Sequence, residues 1–139
     1  MDIAATLELS LAPTTVAPRR ARSAVGDWLA QATLDARTDD VRLLVTELVS
    51  NAVRHARIEA GQPLRLRAWL RETVLHIEVW DAGADGEVAP VPPRRSDDAG
   101  SGGFGLNLVA LLSSDWGVHR DAHGTTVWFE LAATADTTA

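Results

Sequence analysis

Glu47, Asn51 and His55 recur at intervals of four residues, and residues at that interval climb one edge of an α-helix. A carboxylate and a carboxamide stacked in this way can do chemistry together. The amide carbonyl is a hard oxygen donor for a cation such as Mg²⁺, and the carboxylate can orient or deprotonate a nearby hydroxyl or water. A plain polar helix edge with one i, i+4 hydrogen bond is the structural alternative. Asn prefers caps and turns to helix interiors, so its place here calls for a reason. Further along, Asp81-Ala82-Gly83 puts an acid and a glycine at the end of an alternating stretch, and Gly102-Gly103-Phe104-Gly105-Leu106 puts a glycine-rich turn before an apolar run. A glycine turn feeding a helix offers free N–H groups and the positive end of a dipole, which suits a phosphate.

The elements that must hold these residues follow from periodicity. From Thr38 to Arg57, the apolar residues Val41, Leu44, Val45, Leu48, Val49, Ala52, Val53 and Ala56 fill one arc of a helix. Thr38 is a natural N-cap, and Asp39 and Asp40 suit the first turn. An earlier helix is expected from Pro18 to near Thr33, with Ala21, Ala24, Val25, Trp28, Leu29 and Ala32 on its inner face. Arg19, Arg20 and Arg22 crowd its N-terminus, as solvated surface or as a patch for an acidic partner. Thr6 to Leu11 alternates as a first strand. After Gly61-Gln62-Pro63 the period becomes two. A two-residue loop at Glu72-Thr73 would set Arg67 opposite Glu78 and Arg65 opposite Trp80 on one face, with Leu66–Val79, Ala68–Ile77 and Leu70–Leu75 on the other. That turn signal is weak, and a longer loop is the alternative. Residues 84–103 carry Pro90, Pro92 and Pro93 with no hydropathy pattern, and such an insert reads as a lid. Leu106 to Leu112 reads as an apolar helix. Trp116–Arg120 and Thr125–Leu131 read as strands across the turn Asp121-Ala122-His123-Gly124, with Thr125 in the inner row of Val127, Phe129 and Leu131. A flexible tail is expected over 132–139.

Composition narrows the function. The 139 residues suffice for one domain, 1–139, with a real core. The net charge of −6 argues against a direct nucleic-acid or anionic-membrane binder. No cysteine is present, so disulfides and thiolate chemistry are excluded. All 13 basic residues are Arg; without Lys there is no Walker-type phosphate lysine and no Schiff base. The chain has no apolar run of about 20 residues and no signal-like start, from which a cytoplasmic location is expected.

Taken in order, ELVSNAVRHA at 47–56, DAG at 81–83, GGFGLNLV at 102–109 and GTTVWFEL at 124–131 resemble the GHKL ATP-binding superfamily, and more closely its single-domain anti-sigma-factor serine/threonine kinases and related actinobacterial regulatory ATPases. The resemblance implies an α/β sandwich, a mixed and mainly antiparallel sheet with about three helices on one face. The other face is expected to be exposed or used for a homodimer, with Trp69 and Trp80 as anchors.

The resemblance also implies a site. Asn51 would coordinate Mg²⁺ through the ATP phosphates and Glu47 would be the general base. Asp81 would accept from the adenine amino group, and Gly83 would let the base approach the backbone. Gly103, Phe104, Gly105 and Leu106 would wrap the phosphates, and Thr125 or Thr126 would support the adenine. Arg54 or His55 would touch the nucleotide. A sigma factor and an anti-sigma-factor antagonist are the implied partners. Gly102 stands where relatives often carry an arginine, so transfer would draw on Arg94 or Arg95. An ATP-dependent interaction module without phosphoryl transfer is therefore the alternative to a kinase. A detached sensor histidine-kinase catalytic domain is a third reading, and the sequence offers it neither a dimerisation hairpin nor a phospho-acceptor histidine segment.

Overall fold

The computed structural model describes residues 3–31, 38–55, 61–82 and 106–132. In chain order they form β1 (Ile3–Leu11), α1 (Ala17–Gln31), α2 (Thr38–His55), β2 (Leu64–Arg71), β3 (Val74–Asp81), α3 (Leu106–Leu112), β4 (Asp115–Asp121) and β5 (Gly124–Ala132). The five strands make one sheet in the order β1-β2-β3-β5-β4. Every pairing among them is antiparallel. The α/β sandwich is thus as expected, except that the described sheet holds no parallel pair.

Alternation decides what each face of the sheet does. Leu64, Leu66, Ala68 and Leu70 of β2, Leu75, Ile77 and Val79 of β3, and Val127, Phe129 and Leu131 of β5 are all buried. They form one core with Val25 and Leu29 of α1, with Val41, Leu44, Val45, Leu48 and Val49 of α2, and with Val109 of α3. Each large aliphatic side chain so buried contributes about 1.5–3 kcal/mol of transfer free energy. That term holds α2 against β3 and α1, so the helix edge bearing Glu47, Asn51 and His55 has a set orientation. Asp39 and Asp40 lie in the first turn of α2 and Arg54 in the last, each charge at the dipole end that favours it.

The β2–β3 hairpin has the expected register, from Arg71 opposite Val74 to Arg65 opposite Trp80. Its loop is the two residues Glu72-Thr73, and Glu72 takes a left-handed φ of 54°, which lets a tight turn follow the strand twist. On the outer face Arg67 lies 3.6 Å from Glu78, and the Arg65 guanidinium sits 5.8 Å from the Trp80 ring centre. His76 is stacked between Trp69, at 4.2 Å, and Trp128, at 5.6 Å. Its Nδ1 meets Glu130 at 2.9 Å and its Nε2 meets Glu78 at 3.1 Å. A neutral imidazole has one donor and one acceptor, so only the imidazolium satisfies both carboxylates. Gly117 lies beneath this stack, where a Cβ would come within 2.9 Å of Trp128.

Three boundaries differ from expectation. β1 begins at Ile3, three residues before Thr6, because β2 extends to Arg71 and pairs with it. Ala132, expected in the tail, belongs to β5 and pairs with Val74. α1 starts at Ala17, one residue before Pro18. The expected lid at 84–103 and the rest of the tail, 133–139, lie outside the described residues.

Candidate functional site

The long helix α2 presents the first half of the site. Glu47 is half-buried and Arg54 and His55 are exposed. Between them, Asn51 is only 6% exposed, and its Oδ1 is fully buried without a hydrogen-bond partner. A buried acceptor left in this state costs about 1–3 kcal/mol. Its position is otherwise fully determined, since Leu48 and Ala52 on either side are core.

The sheet presents the second half. Asp81, the last residue of β3, is 2% exposed. It pairs with Thr125 of β5, which in turn pairs with Arg120 of β4. Asp81, Thr125 and Arg120 thus make one lateral row across three adjacent strands, with about 4.8 Å between neighbours. The row lies on the helix-covered face, because Thr125 shares the parity of Val127 and Phe129, and Arg120 that of Trp116 and Val118. Thr126 has the opposite parity and is in register with Trp80 and His119. The two threonines left as alternatives are therefore separated: Thr125 lies in the row with Asp81, and Thr126 lies on the other face.

A tight turn brings β5 to Asp81. The Asp121 carboxylate accepts from the backbone N–H of His123 at 2.7 Å and of Gly124 at 3.1 Å, and these bonds, that of His123 first, hold its pKa below the usual carboxylate value. Gly124 then passes so close to β3 that a Cβ would stand 2.1 Å from the Asp81 carbonyl oxygen and 2.9 Å from the Trp80 indole nitrogen. Only glycine permits that approach.

The two halves meet electrostatically. His55 is exposed in part but covered enough that its pKa is lowered, by this partial burial first and then by the positive charges of Arg120 and Arg54, so its imidazole is neutral at pH 7. Arg120 therefore lies near the end of α2 as well as beside Thr125. Its Nε is also fully buried without a hydrogen-bond partner, and among the described residues it shares that condition with Asn51 Oδ1 alone. One orphaned acceptor and one orphaned donor, on a helix edge and a sheet end that face the same interior, suit a polar ligand that can fill both.

Of the expected site residues, Glu47, Asn51, Arg54 and His55 share one helix edge and its end, and Asp81 and Thr125 lie side by side. Gly83, Gly103, Phe104 and Gly105 lie outside the described residues, and Leu106 opens α3. Among the described residues no group of three or more His, Cys, Asp or Glu side chains is arranged to hold a metal ion. A single amide oxygen therefore fits a cation that brings most of its ligands with it. The residue that sequence reasoning passed over is Arg120. Its signal was present, since a two-residue turn at Ala122-His123 places Arg120 opposite Thr125 at the end of the inner row.

Comparison with known proteins bears on the family and the fold. Residues 9–131 match the histidine kinase-like ATPase domain family. Among solved structures, the chain is similar to the RsbU and RsbW domains of Rv1364c from Mycobacterium tuberculosis, at 22% identity and a TM-score of 0.70, over 93% of this chain and 32% of that one. The chain thus spans about a third of the length of that structure. It is also similar to the nucleotide-free catalytic domain of the histidine kinase ThkA, at 15% identity and a TM-score of 0.52, over 98% of this chain and 99% of that one. No curated protein matches the chain.

Proposed function

Since this chain belongs to the histidine kinase-like ATPase domain family, with a GHKL-type fold, we propose that it binds Mg-ATP between α2 and the ends of β3, β5 and β4. In this reading it acts as a regulatory protein serine/threonine kinase of the anti-sigma-factor, partner-switching kind. The observation that carries the nucleotide site is the pairing of an orphaned, buried amide oxygen at Asn51 with a buried carboxylate at Asp81. Asp81 accepts a hydrogen bond from the adenine amino group. The contact excludes guanine, which offers a carbonyl oxygen at that position and would set oxygen against oxygen. Thr125, in register with Asp81, supports the base.

Asn51 Oδ1 would be the ligand this chain offers to Mg²⁺, which would supply neutralising charge for the phosphates. Glu47, one turn earlier on the same edge and half-buried, orients the acceptor hydroxyl and takes its proton. His55, held neutral, sits one turn beyond Asn51 as a hydrogen-bonding or stacking partner for the nucleotide. The glycines Gly83, Gly103 and Gly105 and the neighbouring Phe104 and Leu106 take the roles the resemblance assigns them. The partners in this reading are a sigma factor and its antagonist, supported by the fold likeness to a structure that includes an RsbW domain.

Gly102 favours a second reading, an ATP-dependent interaction module, because phosphoryl transfer needs positive charge near the γ-phosphate and the residue just before Gly103 is glycine and not arginine. Incubating the protein and a candidate antagonist with labelled ATP separates the two. A kinase labels the antagonist, and Glu47→Ala binds ATP without labelling it. The nucleotide site itself is tested by calorimetric titration of Mg-ATP and Mg-GTP into wild type and Asp81→Asn. ATP binding with GTP excluded, lost in the variant, is the expected result. Equal binding of both nucleotides, or an unaffected variant, overturns the assignment of Asp81.

A further inference from the structure

Arg120 Nε is the second of the two orphaned side-chain atoms among the described residues, and the family resemblance gives Arg120 no role. It stands on the edge strand β4, at the end of the inner row that begins with Trp116 and Val118. Its neighbour across the ladder is Thr125, and beyond Thr125 comes Asp81. The end of α2 brings His55 close enough for the charge of Arg120 to disfavour its protonation. A guanidinium is costly to bury with an N–H unmet, because the lost hydration of a charged donor is not replaced. Surface arginines avoid this by turning outward on their long stems, yet Arg120 keeps its Nε inside, on the side where the base would lie.

We propose that Arg120 is a nucleotide-binding residue that donates its Nε–H to the nucleoside part of the ligand, on the far side of Thr125 from Asp81. The inference rests on the nucleotide reading above. Asp81 supplies an acceptor and Arg120 a donor, from strands two apart, about 10 Å between their backbones. That span brackets a purine nucleoside, which carries both an exocyclic donor and several acceptors. Two-sided recognition of this kind discriminates by polarity as well as by shape, since a wrong base leaves one of the two buried groups unmet. The neutral state of His55 fits the arrangement, because a second full positive charge beside Arg120 would compete for the same acceptor.

The test titrates adenosine, Mg-ADP and Mg-ATP into wild type, Arg120→Gln and Arg120→Lys. Both variants are expected to lose affinity about tenfold or more, by the same factor for all three ligands, because the missing donor serves the part they share. Lys keeps the charge but has no Nε–H at that depth, so full rescue by Arg120→Lys would overturn a directed bond. A loss that grows from adenosine to Mg-ATP would make Arg120 a phosphate counter-charge and overturn the inference, as would unchanged affinities. A wild type that binds none of the three removes the nucleotide reading and this inference together, whereas a wild type that binds with indifferent variants sinks this inference alone. Melting without ligand completes the test. The variants are expected to hold their melting temperature within a few degrees, since Nε has no partner to lose, and a variant that unfolds assigns Arg120 to structure instead.

Discussion

Asn51→Ala separates what a residue does for the fold from what it does for a ligand. In the folded protein Asn51 is 6% exposed with Oδ1 unmet, and removing an orphaned buried acceptor recovers about 1–3 kcal/mol. Ala is also the better helix former, by about 0.6 kcal/mol. Against these stand the lost contacts of the amide and any bond its nitrogen makes, about 1 kcal/mol. The net effect is stabilising, by about 1 kcal/mol when the orphan term is taken near the low end of its range. For a chain of 139 residues the unfolding entropy is about 0.3 kcal/mol/K, so the ligand-free variant should melt about 3 °C higher than wild type. Mg-ATP at about 100 times its Kd adds about 2.7 kcal/mol to a protein that binds it, or about 9 °C. Wild type should show that rise and the variant should lose most of it. In a thermal melt followed by circular dichroism, the order of the two proteins should therefore reverse between ligand-free and saturated samples. A variant that melts below wild type without ligand would refute the argument, because Asn51 would then be a structural group and its orphaned oxygen no sign of a site.

Other consequences can be checked on the same protein. Gly124→Ala would place a Cβ 2.1 Å from the Asp81 carbonyl oxygen, forcing β5 and β3 apart by about 1 Å; a loss of about 1–3 kcal/mol is expected, read by urea unfolding, with weaker ATP binding because Asp81 moves too. On the outer face, His76 has its pKa raised from 6.5: burial opposes the charge, but hydrogen bonds to Glu78 and Glu130 outweigh it. Its stabilisation is complete below pH 6.5 and is lost as pH rises through the folded pKa. Glu78 has its pKa lowered from 4.5, chiefly by the hydrogen bond to His76, so its stabilisation is present above that value and lost as pH falls through the folded pKa. The cluster therefore contributes most between about pH 4.5 and 6.5. His76→Phe should flatten the alkaline limb of the stability profile, and an unchanged limb would remove the cluster from the account.

Much of the architecture was legible because it repeats. The period-two rows of β2 and β3 can be matched in only a few ways, and the charges at Arg67 and Glu78 and the ring at Trp80 leave one that is favourable on both faces. The 3.6-residue arc of α2 likewise indicated which edge would carry Glu47, Asn51 and His55. The weak turn at Glu72-Thr73 could not be read from residue preference, since Glu rarely takes a positive φ. There the pairing of whole strands overrides a local cost of about 1–2 kcal/mol.

What the chain determines by itself, then, is periodicity, polarity and the order of its motifs, because these depend on neighbours a few residues away. The tertiary structure decided the depth of Asn51 and Asp81 and the presence of Arg120 in one row with Asp81 and Thr125. Burial and register are set by the packing of distant strands and helices. A buried orphan such as Asn51 Oδ1 or Arg120 Nε exists only once packing has covered the atom without setting a protein partner beside it. No pattern within β4 alone could show that Arg120 ends a row begun at Asp81, since the row is built from three strands with β3 and β4 joined only through β5.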